Sequence, residues 1–177
     1  MIAALLRALD FAAERHSAQR RKGPNGAPYV NHLIEVATLL ANVGGVKDTE
    51  VLEAAVLHDV LEDTETTLEE LIARFGERVS KLVASLTDDK SLSRAERKSL
   101  ALERLLRAQP ATKLVKLADL CSNVRAFPID WSPERAREYL AWSARAAELC
   151  AGTNPALEEL YRRRWQATHE ALAAQGS

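Results

Sequence analysis

The sequence predicts an all-α fold, and three observations carry that prediction. The hydrophobic fraction is 47% and rich in Ala and Leu, while glycine (7) and proline (6) are few in 177 residues, a composition that favours helices. Apolar residues recur at spacings of three and four, the period of an amphipathic helix. Thr67 with Glu70, and Ser93 with Glu96, fit the capping box, in which a hydroxyl and a carboxylate satisfy the first orphan N–H groups of a helix. The length suits one domain with a sizeable core. Residues 1–177 read as a single unit, with a last helix at about 154–174 packed as an extension.

Composition also excludes. With 24 basic and 25 acidic residues there is no global field to grip a polyanion, so neither DNA nor RNA is an expected partner. Cys121 and Cys150 are too few for a disulfide framework or a structural zinc site. Residues 1–16 mix charges into an apolar pattern, unlike a secretory signal, and no apolar run reaches membrane-spanning length. A cytoplasmic protein without a membrane partner is expected.

Taken in order, a first helix is expected over residues 2–18. The basic loop at 19–26, QRRKGPNG, is a surface turn or an anion cradle in which cations and backbone N–H groups meet phosphate oxygens. Asn31 is placed as the N-cap of a second helix that His32 begins. After Gly44 and Gly45 a helix starts near Asp48 or Thr49 and is expected to run through residue 64. Thr67 opens the next, ending near Gly76, and a further one spans Val79 to Leu86. The densely charged stretch at 94–108 follows the Ser93 box. Residues 111–127 form an apolar helix carrying Lys116, Asp119 and Asn123 on one face. Ser132 caps a helix with Pro133 in its first turn, in which Trp131, Arg135, Tyr139 and Trp142 recur as a stripe that fits either core or a base-stacking wall. The final helix carries an arginine run at 162–164, a solvated face.

The stretch at 51–64, VLEAAVLHDVLEDT, concentrates the chemistry. Composition alone would make His58, Asp59, Glu62 and Asp63 a solvated face, but the apolar residues before and between them predict burial, and buried ionisable groups need partners or a metal. In a continuous helix His58 stands above Glu62 and Asp59 above Asp63. A single ion needs about four mixed ligands from separate elements, with positions left open for water and substrate. His32, His58, Asp59 and Asp119 have that form. The alternative for Asp119 is a salt bridge to Lys116 or an arginine.

A His, an HD pair and a distant Asp in apolar helices resemble the HD-domain metal-dependent phosphohydrolases. RRKGPNGAPYVNH, LHDVLEDT, TDDK at 87–90, KLAD with Asn123 beyond it, and WSPERAREYLAW together look like the stand-alone alarmone hydrolases related to RelA/SpoT proteins. The resemblance implies an all-α HD-domain bundle with a metal site between helices, one divalent ion, typically Mn2+, and removal of the 3′-pyrophosphate of (p)ppGpp or (p)ppApp. It assigns His32, His58, Asp59 and Asp119 as ligands and Glu62 and Asp63 as the catalytic acids; Asn123 is expected to support the substrate or metal-bound water. Arg21, Lys22, Lys90 and Arg135 are candidates for the phosphates; Tyr29, Asn31, Trp131, Tyr139, Thr153 and Asn154 for sugar and base. Leu120 and Ser122 depart from the family pattern, which usually has a basic residue and an aromatic or His there. If they face the nucleotide, adenosine alarmones or the 2′-phosphate of NADPH become candidate substrates. Another HD-type nucleotidase, and a non-catalytic nucleotide-binding regulator, are the competing readings. No synthetase-like segment follows, so degradation and not synthesis is expected.

Overall fold

The computed structural model describes residues 2–21, 26–125, 127–128 and 131–174. Helix α1 is Ile2–Arg15, shorter than expected because Ser17 N–H turns back to Glu14 O at 3.2 Å and tightens the end. The basic loop is closed at its base: Arg20 bridges Pro28, and Arg21 N–H donates to Ala27 O at 2.8 Å. Helix α2 is Val30–Thr38, with Tyr29 and not Asn31 at its N-cap. The turn that donates Asn31 N–H to Pro28 O starts the helix two residues early. A single wide turn, Leu39–Val43, carries α2 onward.

Helix α3, Thr49–Leu57, is capped by Asp48 and buried at every position from Val51 to Leu57. It is the central element, touching α1 and α2 as well as two later helices, α5 (Leu68–Leu86) and α7 (Pro110–Asn123). The expected continuous helix through residue 64 is interrupted at His58 and Asp59, and resumes as α4, Val60–Asp63. A physical reason is visible. His58 Nδ1 bonds Ala55 O at 2.8 Å, the carbonyl that a continued helix would offer to Asp59 N–H.

Helix α5 is kinked at Gly76, whose φ of 82° suits a glycine. Thr67 accepts from Glu70 N–H, but the Glu70 carboxylate turns to Arg15 at 2.6 Å and Arg74 at 3.1 Å, so only half of that box forms. Helix α6, Arg94–Leu106, has the complete Ser93–Glu96 box. Helix α8, Pro133–Leu149, starts at Ser132 as expected, and α9 is Pro155–Ala174. Fully buried leucines, among them Leu33, Leu57, Leu71, Leu117 and Leu120, join α2, α3, α5 and α7, each contributing about 2 kcal/mol. That packing holds the first turn of α2, the α3–α4 break and the last turns of α7 against one another. Cys121 and Cys150 are free and buried, and no described helix is long and apolar enough to cross a membrane.

Candidate metal centre

The four donors meet. His32 Nε2 lies 3.2 Å from Asp119 Oδ1 and 3.9 Å from Asp59 Oδ2; His58 Nε2 lies 3.1 Å from Asp59 Oδ2 and 3.7 Å from Asp119 Oδ1. Bonds of about 2.1 Å to one ion hold neighbouring donors about 3 to 4 Å apart, so the spacing fits. The donor atoms of His32, His58 and Asp59 all lie within 4.8 Å of one another. His58 Nε2 is buried and has no hydrogen-bond partner among the described residues. A nitrogen aimed between carboxylates is what a cation would need.

Each donor is oriented from behind. His32 Nδ1 lies 2.9 Å from Ser122 Oγ, and Ser122 donates to Glu35 Oε2 at 2.9 Å. His58 Nδ1 is held by Ala55 O, so both rings present Nε2. The Tyr29 hydroxyl donates to Asp59 Oδ2 at 2.6 Å. Asp119 makes the foreseen salt bridge through Oδ2, which takes Lys116 Nζ at 2.9 Å, and its Oδ1 takes Asn123 Nδ2 at 2.6 Å while facing the imidazoles.

Burial penalises charge on His58, Asp59 and Asp119, and the pairing overrides it. Lys116 and the two imidazoles hold Asp119 well below the usual carboxylate range, and His58 with His32 does the same for Asp59. Their anions in turn hold His58 well above its ordinary value. Two ionised carboxylates beside buried imidazoles form a pocket in which a divalent cation would displace protons on binding.

Glu62 and Asp63 stand on α4. Glu62 Oε2 accepts Asp88 N–H at 3.0 Å, and burial raises its carboxyl above the ordinary range. Asp63 accepts from Gln19 Nε2 at 2.8 Å and pairs with Lys90. Both acids line a cavity of about 530 Å³ that also takes in Asn123, Arg21, Arg135 and an aromatic wall of Tyr29, Phe127, Trp131, Tyr139 and Trp142. Phe127 and Trp131 stack at 5.4 Å, and the Arg135 guanidinium lies 4.5 Å over the Trp131 ring. Arg21 donates to Asn123 Oδ1 at 3.2 Å and lies 3.6 Å from Glu35. A larger cavity of about 780 Å³, between α5 and α6, contains none of these groups.

Not every expected residue is brought here. Lys22 lies outside the described residues. Lys90 is spent on Asp63 and does not line the cavity. Asn31 is exposed in the first turn of α2. Asn154 caps α9 by accepting Leu157 N–H at 3.1 Å and donates to Gly44 O at 2.8 Å, while Thr153 bonds Cys150 O. Both hold the α8–α9 junction instead of a ligand. Leu120 and Ser122 are buried at 0% and 2% exposure, so neither faces the cavity, and Ser122 orients His32. Sequence reasoning missed Arg94, Arg97 and Lys98 of α6, which line the cavity. The only signal for them was the charge density of that stretch. It also missed Glu35, which gathers Arg21, Arg125 and Arg164 at 3.2 to 3.6 Å.

A helical bundle that presents a His–Asp pair at a helix break, with an upstream His and a downstream Asp beside it, defines the HD class of metal-dependent phosphohydrolases. The comparisons agree. Residues 8–144 match the HD domain family. Over 161 residues the chain is 48% identical to the human guanosine-3′,5′-bis(diphosphate) 3′-pyrophosphohydrolase MESH1, covering 89% of this chain and 90% of that protein. It is 41% identical to the MESH1 of Drosophila melanogaster over 170 residues, covering 92% and 95%. The solved structure of a metazoan orthologue of SpoT that hydrolyses ppGpp superposes with a TM-score of 0.89 at 40% identity, covering 93% and 95%. A Listeria monocytogenes protein superposes with a TM-score of 0.68 at 29% identity, covering 82% and 98%. The chain belongs to the HD-domain family, in its group of stand-alone hydrolases related to RelA/SpoT proteins.

Proposed function

We propose that the chain is a manganese-dependent hydrolase of alarmone nucleotides, releasing pyrophosphate from the 3′ position of (p)ppGpp. The observation that carries this reading is the convergence of two imidazole and two carboxylate donors beside Glu62 and Asp63, at a cavity lined by cations and aromatic rings. Relatives named for that reaction support it. The substrate pairs a planar base with two diphosphate groups, and the cavity pairs an aromatic wall with arginines. Residues 1–177 act in this reading as one catalytic unit.

His32, His58, Asp59 and Asp119 would hold the ion. When bound, a divalent cation supplies Lewis acidity at the phosphoryl oxygens and a lowered pKa for water. Glu62, with its raised proton affinity, takes the proton of the attacking water. Asp63 orients that water, and Asn123 holds Asp119 and Arg21 in place. Water attacks phosphorus, the bond from phosphorus to the ribose 3′ oxygen breaks as that oxygen takes the proton back from Glu62, and pyrophosphate leaves a nucleoside 5′-diphosphate or 5′-triphosphate with a free 3′-hydroxyl. Arg21 and Arg135, joined by Arg94 and Lys98 of α6, hold the phosphates; Trp131 and Tyr139 stack the base. With Leu120 and Ser122 buried, the observation that would have favoured adenosine alarmones or NADPH is withdrawn, and guanosine alarmones come first.

The test is a manganese-supplemented assay of ppGpp, pppApp and NADPH, read by product mass. Pyrophosphate from ppGpp, lost by at least about a hundredfold in Asp59→Ala, is the expected result. Full turnover in Asp59→Ala, or loss of a single phosphate, overturns the reading.

A further inference from the structure

His16 and Gln19 take part in none of the steps above, yet both are built into the site. His16 is 2% exposed just beyond α1. Its Nδ1 lies 2.5 Å from Gln19 Oε1, and Gln19 Nε2 donates to Asp63 Oδ2 at 2.8 Å. The logic of donors and acceptors fixes this chain of contacts. Asp63 also accepts from Lys90, so its carboxylate is an acceptor on both sides, and an amide oxygen turned towards it would be repelled. The amide nitrogen therefore faces Asp63 and the amide oxygen faces His16. Two acceptors cannot share 2.5 Å, so Nδ1 carries a hydrogen. His16 Nε2 is buried with no hydrogen-bond partner among the described residues, and a bare lone pair is tolerated there more readily than an orphaned N–H. The ring also stacks on Tyr29, centroids 5.2 Å apart at 30°.

We infer that His16 is a positioning residue: its Nδ1–H fixes the Gln19 amide, and the amide fixes the Asp63 carboxylate beside the reacting phosphorus. This rests on the catalytic role proposed for Asp63. The relay has two ends that are tested separately. The tautomer is read in the free protein by long-range ¹H–¹⁵N correlation, with His16→Phe to assign the signal. A hydrogen on Nδ1 is expected, and a ring protonated on Nε2 alone overturns the relay whatever the enzyme's substrate proves to be.

Kinetics read the other end. His16→Phe keeps a ring for the stack on Tyr29 and removes the donor, while Gln19→Leu removes the amide. Each is expected to lower kcat by about tenfold, with the nucleotide KM and manganese affinity within about twofold of wild type. The double variant is expected to be no slower than Gln19→Leu, because both changes cut one connection. His16→Asn, whose amide N–H occupies the Nδ1 position, restores most of the rate. Wild-type kcat in Gln19→Leu, or losses that multiply in the double variant, refute positioning through this route. If His16→Phe does not fold, Gln19→Leu and His16→Asn decide the same question. An absence of nucleotide hydrolysis by the wild type refutes the proposed function and leaves the tautomer result standing.

Discussion

Ser122→Ala separates what the structure assigns to this position from what its place in the sequence suggests. In the wild type, His32 Nδ1 lies 2.9 Å from Ser122 Oγ inside a pocket where His32 is 2% exposed. Removing the hydroxyl orphans a buried donor, at a cost of about 1–3 kcal/mol. Glu35 loses the same hydroxyl but keeps Arg164 at 3.2 Å, Arg125 at 3.5 Å and Arg21 at 3.6 Å, so its share of the cost is small. Arg21, 3.5 Å from the same hydroxyl, keeps Asn123 Oδ1 at 3.2 Å, so the penalty falls mainly on the ring whose Nε2 would face the ion, and losing such an outer partner weakens metal binding by about 10–100-fold. That corresponds to about 1.4–2.7 kcal/mol. Titration calorimetry of Mn2+ into metal-stripped protein should show this loss, with the nucleotide KM at saturating metal changed by less than about threefold. An unchanged manganese Kd with a raised nucleotide KM would place Ser122 on the substrate and refute the orienting role.

Burial raises the Glu62 carboxyl above its ordinary range, so the folded chain holds that proton more tightly than the unfolded one, and the stability this confers is lost as pH rises through the raised value. Glu62→Gln should melt about 1–3 °C higher than wild type at pH 8, with the advantage vanishing near pH 4, and thermal scans at both pH values check this. The same ionisation should govern the acid limb of kcat, rising with pH through the raised value in the wild type; Glu62→Gln should lack most of the turnover at every pH. Arg135→Lys keeps the charge but loses the planar group 4.5 Å over Trp131. It should raise the nucleotide KM about tenfold with kcat little changed, measured under saturating manganese.

Most of the helical fold was legible in the sequence because its signals are local. Ser93 with Glu96, Ser132 with Pro133, and the glycine at 76 act within one turn, and the structure keeps each where the pattern put it. The four candidate ligands were legible for a related reason: ionisable groups in apolar stretches must find partners, and His32, His58, Asp59 and Asp119 sit in such stretches. The break at His58 was not legible, since it arises from a side chain competing for one carbonyl. Nor were Thr153 and Asn154, whose polar groups are spent on a helix junction that sequence does not show.

By itself, then, the sequence determined the helices, the apolar faces that must meet, and the residue types able to hold a cation, because periodicity and burial cost are properties of neighbours along the chain. Only the tertiary structure decided what those residues touch. Ser122 became the partner of a histidine 90 positions away, His16 came to stand behind Asp63, and α6 brought Arg94 and Lys98 to the cavity. Those contacts depend on how α2, α3 and α7 cross, and a crossing is set by the packing of whole faces, which no short stretch of sequence contains.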